Sequence, residues 1–174
     1  MPDVTLSLPF VKSFLANEVT SIRLTAFAAW YKLAEQEKDE IAAMALRDDA
    51  TRIIKFSLQL VHKRGAFIPV TMIQARLLEK RHVDLLMQFT RHLKWDHLES
   101  ITRLALACSV EERAALQLEA HLRDWCRLCR RGWYESTKPA QFAFLASHAS
   151  TQALQRLLPD GQEIGAYLRQ ELIR

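Results

Sequence analysis

Glycine and proline are scarce in this chain. Four glycines and five prolines among 174 residues are too few for a protein built from many tight β-turns, which draw on those two residues. The glycines do not cluster, and neither GxxxxGKS/T nor GxGxxG occurs. The two common phosphate-cradling loops are therefore excluded. No run of about 18 uncharged apolar residues is present, so no membrane span is expected. The first residues, MPDVTLSLPFVKSFLA, lack a basic stretch ahead of their apolar part and do not read as a secretion signal. Three cysteines are an odd number without the spacing of a disulfide framework. A reducing, cytoplasmic location is the expectation.

What is present is helix after helix. Hydrophobic residues make up 49% and charged residues 25%, the balance of a folded chain rather than a disordered one. No linker rich in Gly, Pro or Ser divides it. The expected fold is all-α, a single-domain bundle of about seven to nine helices over residues 1–174, with 1–8 extended or disordered. Pro9 can open a short helix, and Thr20 or Ser21 can cap the next, through 38. A turn is expected at the acidic run 35–40. Asp48 or Asp49 can cap a helix ending at Gly65. Residues 70–93 hold one long helix or two short ones, with a break plausible at Glu79–His82. Lys94–Asp96 reads as a turn, with Asp96 capping the helix to 108. Further helices are expected over 139–148, 151–158 and 164–174.

The longest predicted element is a central helix near 109–131. Ser109 and Glu112 have the spacing of a capping box. Arg130 and Arg131 suit the negative end of the helix dipole, and Gly132 suits its termination. Ala115, Leu118, Leu122, Trp125, Cys126 and Cys129 fall near one face, and Glu119, Arg123, Arg127 and Arg131 on another.

Candidate chemistry is sparse. Cys126 and Cys129 form a CxxC, a spacing that serves zinc ligation or thiol exchange. It sits at the C-terminal end of the helix, where the dipole disfavours a thiolate, and two further zinc ligands lack a motif. Packing in the apolar stripe is the simpler role, so no metal and no cofactor are expected. The six histidines pair with no serine or cysteine in a nucleophile arrangement, and the carboxylates form no acid–base pair. A non-enzymatic protein is expected.

Net charge is +4, and it is unevenly distributed. Residues 1–51 carry 5 basic and 8 acidic side chains, residues 52–108 carry 10 and 4, and residues 109–174 carry 9 and 8. The basic middle either pairs with the acidic first third inside the fold or faces nucleic acid or an acidic protein partner. Two surfaces follow. The first is Arg123, Arg127, Arg130, Arg131, Trp133 and Tyr134, since arginine and aromatic residues are enriched in protein interfaces. It points to a protein-binding adaptor or regulator of unspecified partner and oligomeric state. The second is a loose helix-turn-helix in 52–94. There Arg76, Lys80, Arg81, Arg91 and Lys94 would meet phosphates and Gln74 a base, giving a nucleic-acid-binding regulator. A helical-bundle enzyme or ligand-binding protein with an unrecognised pocket is the third reading.

Overall fold

The computed structural model describes residues 7–129 and 139–148. Among these residues the regular elements are ten α-helices and one 3-10 turn, with no strand. The chain is all-α, as the scarcity of turn residues predicts. Ten helices exceed the expected seven to nine. One reason is that the long helix expected near 109–131 is two helices. The expected helices over 151–158 and 164–174 lie outside the described residues. No described helix is long and apolar enough to cross a membrane. The chain divides into two compact units, Met1–Ile73 and Gln74–Arg174.

In the first unit, α1 (Leu8–Lys12) starts with proline in its first turn and buries Val11. Residue 8, expected to be extended, is already helical. Helix α2 (Thr20–Leu33) has no side-chain cap. Asn17 Oδ1 instead accepts the Val19 amide at 2.9 Å. The acidic run is not a turn but a 3-10 segment (Glu35–Glu37) leading into α3 (Lys38–Leu46). Asp39 and Glu40 sit in the first turn of α3, where the helix dipole favours negative charge. Helix α4 (Thr51–Arg64) ends at Gly65, whose φ of 63° is the left-handed conformation glycine adopts without cost.

The α3–α4 pair forms the heart of this unit. Ala42 and Ala45 let the helices approach closely, and Ile41, Leu46, Ile53 and Ile54 fill the interface. Ser57 is buried there and donates to the Ala42 carbonyl at 2.7 Å, which satisfies the hydroxyl. Trp30 is fully buried, and its indole N–H donates to Glu37 Oε2 at 2.7 Å. Lys12 Nζ lies 3.1 Å from the same carboxylate oxygen and 4.0 Å above the Trp30 ring. The indole and ammonium donors together hold the Glu37 carboxyl below its ordinary range. Asp48 is not a helix cap. Its carboxylate takes Arg23 Nε at 2.7 Å and Arg23 Nη2 at 2.9 Å, and it accepts the Ala50 amide ahead of α4.

The division between the units falls within α5 (Val70–Leu78). The 70–93 stretch is two helices, with α6 (Val83–Thr90) following the polar gap. Lys80 at φ 59° and His82 at φ 53° reverse the chain there. Helix α7 (Lys94–Leu106) begins at the expected turn, so Asp96 lies in its first turn and is not its cap. Helices α8 (Val110–Ala115), α9 (Leu118–Cys129) and α10 (Pro139–His148) complete the described chain.

Helix α7 is the hub of the second unit, packing on α6, α9 and α10. Leu98, Ile101 and Leu104 of α7 are buried, as are Leu118, Leu122 and Trp125 of α9. The Trp95 and Trp125 rings lie 5.9 Å apart. Helix α10 is tied to α7 by polar contacts. Gln141 Nε2 donates to Asp96 Oδ1 at 2.7 Å and to Glu99 Oε2 at 3.0 Å. Arg103 lies 4.2 Å above the Phe144 ring.

Candidate interaction surface

The capping box is as expected: Ser109 accepts the Glu112 amide at 3.2 Å, and Glu112 accepts the Ser109 amide at 2.8 Å. The helix it starts is only six residues long. Leu116 and Gln117 interrupt it, with Gln117 at φ 51°. No glycine or proline forces this break. Leu116 and Leu118 stand about 200° apart on a continuous helix, so one straight rod cannot turn both inward. The break resolves that conflict. Leu118 becomes fully buried with Leu122 and Trp125, and Leu116 is half-buried. Helix α8 buries none of its residues. Ala115, expected in the apolar stripe, is accordingly exposed.

With Leu118, Leu122 and Trp125 inward, Arg123 lies on the opposite side of α9. Arg123 is 66% exposed and pairs with Glu119 one turn earlier. Arg127 lies on α9 one further turn along. Arg130, Arg131, Trp133 and Tyr134 lie outside the described residues. Cys126 and Cys129 are on α9, and their side chains likewise lie outside the description. The third cysteine, Cys108, is a free, buried thiol, raised above its ordinary pKa chiefly by burial. Among the described residues no group of three or more His, Cys, Asp or Glu could hold a metal ion.

Several of the basic residues of 74–94 meet carboxylates. Arg76 pairs with Glu79. Lys80 is 2.7 Å from both Glu112 carboxylate oxygens. Arg91 is 2.6 Å from Asp124. Gln74 reaches toward the Ser100 hydroxyl at 3.4 Å. Arg81 is exposed, and Lys94 is the first residue of α7. Six of the eight residues of α6, which lies in the 52–94 segment read as a loose helix-turn-helix, are buried, which leaves little of it to enter a groove. The pairing carboxylates come from the middle and last thirds of the chain.

Behind the arginine side, α6 and α9 are joined by polar pairs. His121 Nε2 lies 3.0 Å from Asp84 Oδ1. His97 is buried on α7, with Nδ1 2.9 Å from the Thr90 hydroxyl. Its pKa is pushed down to about 4, first by burial and then by the positive charges of His121 and Arg91. A neutral imidazole held this way is a structural group rather than a proton shuttle at neutral pH.

Clefts on the described surface include two of note. One, of about 400 Å³, lies at the α8–α9 elbow, with Val110, Ala114 and Ala120 between Arg113, Glu119 and Arg123. Sequence reasoning missed this site. The placement of leucines at 116 and 118 on opposite helical faces was the available signal. The other cleft, of about 300 Å³, lies between α1 and α2, lined by Phe10, Phe14, Ile22 and small residues. Among the described residues its lining contains no titratable side chain. Comparison of the chain with family models, curated proteins and solved structures finds no match.

Proposed function

We propose that this protein is a non-enzymatic, cytoplasmic adaptor or regulator that binds another protein. The binding surface is the arginine side of α9 and the residues after it: Arg123, Arg127, Arg130, Arg131, Trp133 and Tyr134. The observation that carries this reading is the polarity of α9. One side is anchored by fully buried Leu118, Leu122 and Trp125, while Arg123 stays 66% exposed on the other. Exposed Arg123 on α9, in a stretch of sequence that also holds Arg127, Arg130, Arg131, Trp133 and Tyr134, suits recognition of an acidic protein surface. The cytoplasmic assignment rests on the odd cysteine count.

Nucleic-acid binding by residues 74–94 is the weaker reading, because Arg76, Lys80 and Arg91 already meet carboxylates. Affinity capture from the native cell, with and without nuclease, tests the choice. A protein partner retained after nuclease treatment is expected. Loss of all captured material on nuclease treatment contradicts the proposal.

A further inference from the structure

We propose that the α8–α9 elbow is a pocket for an aliphatic side chain of an acidic partner segment, whose carboxylates engage Arg113 and Arg123. The inference rests on the protein-binding reading and specifies the chemistry of the partner. The elbow is formed by a non-glycine residue with positive φ, Gln117, in a stretch with no local helix breaker. Such a conformation is uncommon outside glycine, asparagine and aspartate.

The cleft it opens has about 400 Å³ of space, within the usual range for ligand pockets. Its floor is apolar: Val110 is 56% exposed, and Ala114 and Ala120 are exposed beside it. Helix α8 contributes no side chain to the core, so packing does not account for Val110 at this place. A partner aliphatic group would remove this apolar surface from water.

The rim sets the sign of the partner. Arg113 is steadied by a bond from Nε to the Cys108 carbonyl at 3.1 Å. Among the described residues no carboxylate pairs with it, so its outer guanidinium nitrogens remain available. Arg123 meets Glu119 in an exposed i,i+4 pair, a contact weak enough to be exchanged for a partner carboxylate. Two arginines against one glutamate leave the rim positive. Among the described residues the lining contains no aromatic side chain on which a nucleobase could stack. Glu119 also opposes a densely charged phosphate chain. A peptide with carboxylates on either side of a leucine or methionine fits both floor and rim.

The test uses the full chain and fluorescent acidic peptides with a single central leucine, against the same peptides with central alanine. Leucine peptides are expected to bind about tenfold more tightly. Ala120→Trp, which fills the cleft at an exposed position, is expected to abolish that preference. Arg113→Glu is expected to weaken binding at least about fivefold. Helical content and melting temperature by circular dichroism verify that each variant is folded. Equal binding of the two peptide sets, no binding at about 1 mM peptide, leucine preference unchanged in Ala120→Trp, or undiminished binding by Arg113→Glu overturns the pocket. Binding of duplex oligonucleotide alone overturns it as well. The broader reading is separated by Arg127→Glu with Arg130→Glu. If that pair loses a native protein partner while Ala120→Trp keeps both that partner and the leucine preference, the surface stands and the pocket fails. If neither changes capture, both fail.

Discussion

Lys80 and Glu112 lie 32 residues apart, and the lysine ammonium sits 2.7 Å from each carboxylate oxygen of the glutamate. The same glutamate accepts the Ser109 amide in the capping box of α8. Lys80 itself occupies a left-handed backbone position between α5 and α6. One carboxylate thus fixes a turn and starts a helix, and the turn's lysine is held above its ordinary pKa by that contact.

The first prediction concerns this cation. Lys80→Glu with Arg81→Glu leaves protein-partner capture unchanged, because neither residue belongs to the proposed partner surface. A duplex oligonucleotide titrated at low salt shows no salt-dependent binding that the double variant removes. A binding isotherm lost in the variant and steep in salt for the parent chain places nucleic acid at this segment instead.

Ser109→Ala removes the hydroxyl acceptor of the Glu112 amide. A lost serine cap costs about 1 kcal/mol, readable as a lower urea midpoint with an unchanged slope. No change in midpoint means the capping box does not contribute to global stability.

Gln117→Gly relieves a side chain in the left-handed region at the elbow. The expected effect is a stabilisation of about 0.5–1 kcal/mol, the left-handed cost being partly offset by the entropy of glycine. Destabilisation by Gln117→Gly contradicts the elbow geometry, since a residue in a continuous helix loses about 1 kcal/mol on becoming glycine.

His97 predicts an acid sensitivity. The folded-state pKa is about 4, against 6.5 for the free imidazole. The unfolded chain therefore binds the extra proton first as pH falls. The stability contributed by the neutral imidazole is whole above pH 6.5 and declines as the pH drops toward 4. About 2–3 kcal/mol is lost from this group between neutral pH and the lower end of that window. His97→Gln flattens that portion of the pH profile in urea unfolding. A parallel profile for parent and variant assigns the acid sensitivity to other groups.

Much of this architecture is legible in the chain itself. Gly65, the capping box and the polar gap at 79–82 are local signals, and each ends, starts or breaks a helix where local chemistry requires. The acidic residues at 48 and 49 mislead, because Arg23 competes for Asp48 from another helix. The elbow at Gln117 is harder still. It arises from turning both Leu116 and Leu118 inward, a demand made by packing in the second unit and not by any breaker in the local sequence. Of the arginine surface, the i,i+4 pair of Glu119 and Arg123 is visible from spacing. The engagement of Asp124 by Arg91 is not, since it joins positions 33 apart.

The most direct test is partner capture by a folded Arg127→Glu, Arg130→Glu double variant, with circular dichroism confirming parental helicity. The account predicts that the nuclease-resistant protein partner held by the parent chain is lost. Capture of the same partner at parental yield by the folded double variant contradicts it.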